Sequence, residues 1–254
     1  MMTIKQLATR QRIRKGLLLV SLLLFPVTLY YFSPALILAG AAQGAINGSF
    51  LVFSLMFLAS LFLGRLWCGW ACPAGGLQEM AAPANNRRLT RGKIDWIKWA
   101  IWIPWIGLIL FLAISAGGYH TVDPLFQIPG GATLAIPAGE GPPWWMIYYI
   151  IVALFLILAV ALGRRAGCRT VCWMAPFMII GRWLRNRVRW PALRLVAAPA
   201  ECRDCLTCTR ECPMSLDVHE MVKRGDMENA ECILCGTCVD GCKQNAIHYS
   251  FSRG

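Results

Sequence analysis

The stretch Cys202-Arg-Asp-Cys205-Leu-Thr-Cys208-Thr-Arg-Glu-Cys212-Pro213 holds four cysteines in the spacing C-x2-C-x2-C-x3-C. The spacing returns further along the chain, with a lysine in place of the proline, at Cys232, Cys235, Cys238 and Cys242. Thiolates are soft ligands that suit iron–sulfur clusters, and this run is typical of bacterial ferredoxins with two clusters. Zinc ribbons do not need two copies of a four-cysteine run, and disulfides are rare in the cytoplasm. We therefore favour iron–sulfur clusters over both alternatives.

The spacing also predicts which cysteines share a cluster. In two-cluster ferredoxins the fourth cysteine of a run ligates the other cluster. We expect one 4Fe-4S cluster on Cys202, Cys205, Cys208 and Cys242. We expect a second one on Cys212, Cys232, Cys235 and Cys238.

Most of the chain is far more apolar than a soluble enzyme. Of its 254 residues, 57% are hydrophobic and 15% are charged, and the net charge is +12. No Asp, Glu, Lys or Arg lies between Gly16 and Gly64, and no Lys or Arg between Trp99 and Gly163. Since one membrane span takes about 20 residues, these stretches predict four spans. They lie near Leu17–Leu38, Ile46–Leu63, Trp99–Ala116 and Trp144–Leu162.

The positive charges predict the orientation of the chain in the membrane. Lys and Arg cluster before the first span, after the second and after the fourth, and the opposite connections have none. By the positive-inside rule, both termini lie on the cytoplasmic side of a bacterial-type inner membrane. Because the cations flank apolar spans, we expect no nucleic-acid partner. The basic arm and first apolar stretch are too long for a signal peptide and predict a retained helix.

The four remaining cysteines form two C-x3-C pairs, Cys68 with Cys72 and Cys168 with Cys172. Each pair directly follows an even-numbered span, and the pairs are 100 residues apart. This predicts two parallel hairpin repeats, related by an axis along the membrane normal, that bring four thiols together at the cytoplasmic face. The thiols are then ligands of a third 4Fe-4S cluster, a redox-active dithiol system, or structural cysteines.

The predicted fold is a membrane all-α bundle joined to a small α+β ferredoxin domain. We expect the four-helix transmembrane domain at residues 1–181 and the two-cluster domain at residues 198–254, on the cytoplasmic side. Arginines alternate with apolar residues in the stretch between them, residues 182–197. That pattern predicts a basic amphipathic linker on anionic lipid, an electrostatic dock for the ferredoxin domain, or a plain solvated linker.

One outer loop offers His120 and Asp123 as candidate proton acceptors for a quinone. An Asp-Pro turn explains Asp123 equally simply, and we favour the turn. These residues would also lie across the bilayer from the ferredoxin domain. Quinone binding nearer Cys68 and Cys168 is the easier alternative.

Together these motifs resemble the NapH family, the membrane polyferredoxins of periplasmic nitrate-reductase systems. The wider group includes the carboxy-terminal part of NosR and the CcoG-type oxidase assembly proteins. The resemblance covers the chain from about Leu17 to Tyr249. This chain departs from the pattern after Cys172, where proline comes only at Pro176. The departure indicates a divergent branch and leaves the physiological partner open.

The resemblance implies electron transfer between the membrane quinone pool, or a membrane redox partner, and another redox protein. It leaves two alternatives. The first is a metal reductase or assembly factor, resembling CcoG, that handles copper. The second is a structural iron–sulfur anchor within a larger respiratory complex. No residue indicates general acid–base catalysis, so the clusters would carry the chemistry.

Overall fold

A computed structural model describes residues 9–89, 92–128, 131–133 and 143–253. Long apolar helices form one part, and short helices beside a two-stranded sheet form the other, which we call the head (residues 192–253). The helices are α1 (Thr9–Thr28), α2 (Pro34–Ala42), α3 (Gly48–Leu63), α4 (Leu66–Trp70), α5 (Pro73–Ala81), α6 (Ile97–Ser115), α7 (Trp144–Leu162), α8 (Ala166–Thr170), α9 (Ala175–Arg187), α10 (Thr207–Arg210), α11 (Val218–Lys223) and α12 (Thr237–Asp240). The strands are β1 (Ala45–Asn47), β2 (Thr121–Asp123), β3 (Ala192–Ala197) and β4 (Ile247–Ser252).

Three helical segments are long and apolar enough to cross a membrane, within the part of the chain described. They are Thr9–Ala42, Ile94–Ser115 and Trp144–Leu162. The remaining expected span is α3, which is apolar but has 16 residues, fewer than the usual 20 or so. Large apolar side chains such as Leu23, Ile114 and Ile157 face outward. Such a surface suits lipid, so the helical part is a membrane part, and a count of four spans stays a prediction.

The first span is interrupted before Pro34. Helix α1 ends at Thr28, a single 3-10 turn follows, and α2 begins at Pro34. Proline fits the first turn of a helix because that position needs no backbone N–H donor. The Oγ of Ser33 accepts a hydrogen bond from the Leu36 backbone N–H at 3.4 Å and caps α2.

A buried asparagine fixes the turn between α2 and α3. The Oδ1 of Asn47 accepts a hydrogen bond from the backbone N–H of Phe50 at 2.9 Å and caps α3. Its Nδ2 donates to the carbonyl of Leu36 in α2. Strand β1, which ends at Asn47, pairs in parallel with β2 in the loop after α6. This one side chain therefore ties both helices together beside the outer loops.

The stretch expected as a linker, residues 182–197, lies in two regular elements. Its first residues end α9, with Arg182 and Arg185 buried. Its last residues form β3, which pairs antiparallel with β4 of the head. Helix α9 also packs on α3. The segment thus joins the membrane part to the head through buried contacts, and one face of α9 remains exposed at Trp183.

Asn47→Ala removes the cap of α3 and leaves the Leu36 carbonyl without its donor. Loss of an N-cap costs about 1–2 kcal/mol. We expect that loss in the free energy of unfolding, measured by denaturant titration in detergent. The exposed amide Gln43 offers a control, since Gln43→Ala should change stability by less than about 0.5 kcal/mol. Equal effects of the two substitutions would contradict the capping role.

Candidate iron–sulfur centres

The two cysteine runs of the head have the same backbone conformation. Asp204 and Leu206 in the first run, and Leu234 and Gly236 in the second, all have positive φ angles between 51° and 76°. A short helix follows each loop, α10 in the first run and α12 in the second. Left-handed residues are rare outside glycine, so their recurrence at matching positions indicates one loop type used twice. Such a loop turns its cysteines around a common centre.

One set of four cysteines lines a single cavity in the head. Cys212, Cys232, Cys235 and Cys238 surround it, together with apolar neighbours such as Met214. Burial, and then the neighbouring thiols Cys235 and Cys232, raise the pKa of Cys212 to about 12. The thiolate is the form of cysteine that binds metal. Four thiolates around one cavity repel one another unless a cationic centre lies among them. The donor set and the cavity therefore fit a 4Fe-4S cluster.

The other set is nearer the surface. Cys205 is exposed, and Cys202 and Cys208 are half-buried. Burial is the main reason why the pKa of the Cys208 thiol is raised, and the nearby thiols of Cys205 and Cys202 raise it further. Three of the expected ligands of this cluster therefore share one loop, while the fourth, Cys242, follows α12 in the second run.

The two C-x3-C pairs occupy matching helical turns. Cys68 lies in α4 and Cys168 in α8, and the two helices are 100 residues apart. The N–H of Cys72 donates to the Trp67 carbonyl, and the N–H of Cys172 donates to the Gly167 carbonyl, both at 3.1 Å. The local backbone of one pair thus repeats that of the other.

The structure brings these two pairs together in the interior. Cys68, Cys72, Cys168 and Cys172 are each at most 4% exposed and belong to one packed core. The pKa of the Cys172 thiol is raised to about 12, mainly by burial and then by the nearby thiols of Cys168 and Cys68. The pKa of Cys72 is raised by burial and by all three other thiols. Four thiols of one buried cluster could therefore not ionise together without a cation among them.

Two buried arginines flank this four-thiol cluster. Arg165 is 1% exposed, and its Nη1 donates to the Cys68 carbonyl at 2.6 Å. Arg65 is completely buried, and its Nη1 donates to Glu231 at 2.7 Å. The Nε and Nη2 of Arg65 have no hydrogen-bond partner among the described residues. Burial disfavours both guanidinium charges, but nearby carboxylates and cysteines outweigh it and raise the two pKa values. Unpaired cationic donors beside buried thiols suit an anionic metal–thiolate group.

Glutamine reinforces one side of the same cluster. The Nε2 of Gln78 donates to the Sγ of Cys168 at 3.1 Å, and its Oε1 accepts from the Gly167 N–H at 2.8 Å. Gln78 is 1% exposed. The amide therefore holds α8 and supplies a hydrogen bond to a sulfur, a feature that tunes iron–sulfur potentials.

The head rests directly on the first C-x3-C pair. The Nε1 of Trp70 donates to the Leu234 carbonyl at 3.1 Å. A Cβ on Gly69 would overlap the Ile233 carbonyl and lie 3.5 Å from the Cα of Cys235. Only glycine lets the cysteine loop of the head approach α4 so closely. The cavity of the head and the four-thiol cluster are therefore neighbours.

Ion pairs between the two parts maintain this contact. In α1, Arg10 pairs with Asp240, and the Nε2 of Gln11 donates to the Cys235 carbonyl at 3.0 Å. Arg182 pairs with Glu228 of the head. Asp240, Glu228 and Glu231 lie in no motif that the sequence reveals. Glu79, which pairs with Arg14, and Asp95, which pairs with Arg169, could have been found, because residues 1–200 contain only four acids against 19 Lys and Arg.

The outer-loop candidates lie far from the cysteines. His120 and Asp123 are exposed, and the Oδ1 of Asp123 accepts a hydrogen bond from the Leu125 N–H at 3.1 Å. Asp123 pairs in register with Asn47 at the start of α3, whereas Cys68 follows the end of that helix. At 1.5 Å per residue the 16 residues of α3 span about 24 Å. Asp123 therefore stabilises a turn.

Comparison with known proteins agrees with this chemistry. Residues 201–247 match the family model described as a 4Fe-4S dicluster domain, and residues 48–96 match one described as a 4Fe-4S binding domain. The second match includes Cys68 and Cys72. No solved structure matches the chain.

Relatives extend the similarity across most of the chain. It is 25% identical to protein MJ0749 of Methanocaldococcus jannaschii over 77% of this chain and 68% of that protein. It is 24% identical to protein RdxA of Cereibacter sphaeroides over 91% of this chain and 48% of RdxA. It is 26% identical to the regulatory protein NosR of Pseudomonas aeruginosa over 74% of this chain and 25% of NosR.

At this low identity the chain resembles the NosR-type membrane polyferredoxins. The matched domains and relatives support two bound 4Fe-4S clusters and a general electron-transfer role at a membrane. The chain spans about half the length of RdxA and a quarter of NosR.

Glu231→Gln should destabilise this protein strongly. Burial opposes ionisation of Glu231, but Arg65 and Lys98 outweigh it and hold the pKa at about 2. Both cations are buried, and breaking a buried ion pair costs about 3 kcal/mol or more. Because the folded pKa is depressed, this stabilisation is complete above the ordinary pKa of 4.5 and is lost as the pH falls toward 2. We expect the loss at neutral pH in denaturant titrations followed by cluster absorbance.

Glu220→Gln provides the matched control. Glu220 is 72% exposed, so its replacement should change stability by less than about 0.5 kcal/mol. If both glutamine variants were as stable as the unmodified chain, the Arg65–Glu231–Lys98 triad would have no role in the docking of the head.

Proposed function

We propose that this protein passes single electrons along three 4Fe-4S clusters, between a redox protein at the head and a redox partner or quinone at the membrane. One observation carries the proposal. Two cysteine pairs 100 residues apart converge in a buried four-thiol cluster beside Arg65, two of whose nitrogens have no hydrogen-bond partner among the described residues. The 4Fe-4S family match at residues 48–96 supports the same assignment.

Ligand sets follow from the grouping of thiols. The first cluster is assigned to Cys202, Cys205, Cys208 and Cys242. The second is assigned to the cavity-lining set, Cys212, Cys232, Cys235 and Cys238. The third is assigned to Cys68, Cys72, Cys168 and Cys172.

The order of the clusters along the path follows from packing. The first set, whose Cys205 is exposed, lies nearest the surface of the head, the cavity set lies inside it, and the third set lies beneath the Gly69–Ile233 contact. Burial and the cavity thiols raise the pKa of Cys238, and Cys208 of the first set adds to that effect. Neighbouring sets are thus within electrostatic reach of one another, an arrangement suited to stepwise electron transfer.

A quinone would bind near the third cluster. A cleft lined by Asp95, Trp96, Lys98 and Trp99 opens where α6 begins, and Glu231 forms its inner side. Arg65 then connects Glu231 to the third set. The outer loop with His120 is a less suitable site, because α3, about 24 Å long, separates that loop from Cys68. A quinol would release two electrons, taken one at a time by the cluster, and two protons to water in the cleft.

The topology proposed for this path has four spans, with the head and both termini on the cytoplasmic side. The positive-inside distribution of Lys and Arg supports it. In this arrangement the second set, the third set and the cleft all lie at the cytoplasmic face of the membrane, where a quinone ring can approach from the lipid.

Metal analysis tests the third cluster. The anaerobically purified protein should contain about twelve iron and twelve acid-labile sulfide atoms per chain, and Cys172→Ser about eight of each, since each cubane holds four. A value of about eight in the unmodified chain would contradict the third cluster. Cys205→Ser offers a comparison that removes a ligand from the head alone.

Quinol reduction tests the path. In proteoliposomes a short-chain quinol should reduce the head clusters of the unmodified protein, followed by EPR. Cys172→Ser should slow that reduction at least about tenfold while the EPR signals of the head clusters after dithionite remain. Unchanged rates in this variant would show that the third set is not on the path.

A further inference from the structure

Two acids next to the four-thiol cluster are each shared by two buried cations. Glu79 accepts hydrogen bonds from both Arg14, at 2.8 Å, and Arg165, at 2.7 Å. Glu231 in the same way pairs with Arg65 and with Lys98. Each carboxylate can neutralise only one cation. A net positive charge therefore remains at both places in the protein interior, where such a charge is costly unless an anion lies nearby.

The two net charges lie at different positions relative to the clusters. Among the thiols, Cys68 and Cys172 contribute most to the electrostatic environment of Arg65. Arg165 is affected by Cys168 and Cys72 of the third set and also by Cys235 of the head. Its Nη1 donates to the Cys68 carbonyl, in the helix on which the Cys235 loop rests. Arg165 thus lies between two cluster sites, whereas the thiols that act most strongly on Arg65 belong to the third set.

We propose that Arg165 is a shared positive charge that raises the reduction potentials of the third cluster and of the neighbouring head cluster together. Arg65 acts chiefly on the third cluster. The inference rests on the proposed third cluster. The physical cause is that reduction adds negative charge, which a nearby buried cation stabilises in a low-dielectric interior far more than in water. A shared cation would keep the two potentials close, so that electrons could pass in small steps.

A redox titration followed by EPR tests the proposal on the full-length protein in detergent. Arg165→Gln should lower the equilibrium constant for reduction at least tenfold, or 59 mV for a one-electron couple, at both clusters. Arg65→Gln should lower it that much at the third cluster and by less than threefold at the head cluster. Arg12→Gln removes the same charge from an exposed position. In this variant the equilibrium constants for reduction of both clusters should stay within threefold of those of the unmodified protein.

Lysine variants separate charge from packing. Arg165→Lys keeps the charge but loses the forked hydrogen bonds, and its potentials should stay within threefold of those of the unmodified protein. The proposal is overturned if the lysine and glutamine variants shift equally, or if Arg165→Gln shifts only one cluster or neither.

Iron analysis before each titration separates a failure of the third cluster from a failure of the role proposed for Arg165. About eight iron atoms in the unmodified chain would remove the third cluster, and with it this proposal. About twelve iron atoms together with unmoved potentials would overturn the role of Arg165 and leave the three-cluster path intact.

Discussion

Four cysteine thiols and the cations beside them share an interior from which water is excluded, and this pairing of burial with charge organises the rest of the structure. An isolated buried guanidinium is unstable, and four buried thiols cannot ionise together without a cationic centre. Arg65 and Arg165 are both buried beside the thiols. With the proposed metal centre in place, the anionic thiolates and the buried guanidinium groups would stabilise one another. The acids Glu79 and Glu231 then serve to limit the positive charge rather than to cancel it.

The same requirement explains how the head is attached. Basic side chains of the membrane part form ion pairs with acidic side chains of the head. One of these pairs is Arg182 with Glu228. The arm before the first span takes part through Arg10 and Gln11. Many of the basic residues that flank the apolar spans therefore form ion pairs with an acidic head. The same residues carry the charge pattern from which the orientation is predicted.

Much of this arrangement was predictable from spacing alone. The ferredoxin runs predicted two 4Fe-4S clusters, as the family comparison confirmed, and the apolar stretches predicted a helical membrane part. Repetition at 100 residues pointed to Cys68 and Cys168 as partners. The structure of residues 182–197 was harder to predict. The strand β3 depends on its partner β4, which begins 50 residues after β3 ends. Arg65 and its partner Glu231 are 166 residues apart in the sequence, so no local pattern reveals their ion pair.

The central claim is that iron occupies the four-thiol cluster formed by Cys68, Cys72, Cys168 and Cys172. Anomalous diffraction at the iron absorption edge, from anaerobically grown crystals of the full-length protein, tests it most directly. The account predicts three separate iron peaks, two in the head and one enclosed by those four sulfurs next to Arg65. Two peaks confined to the head, with the four thiols clearly resolved and free of metal, would contradict it.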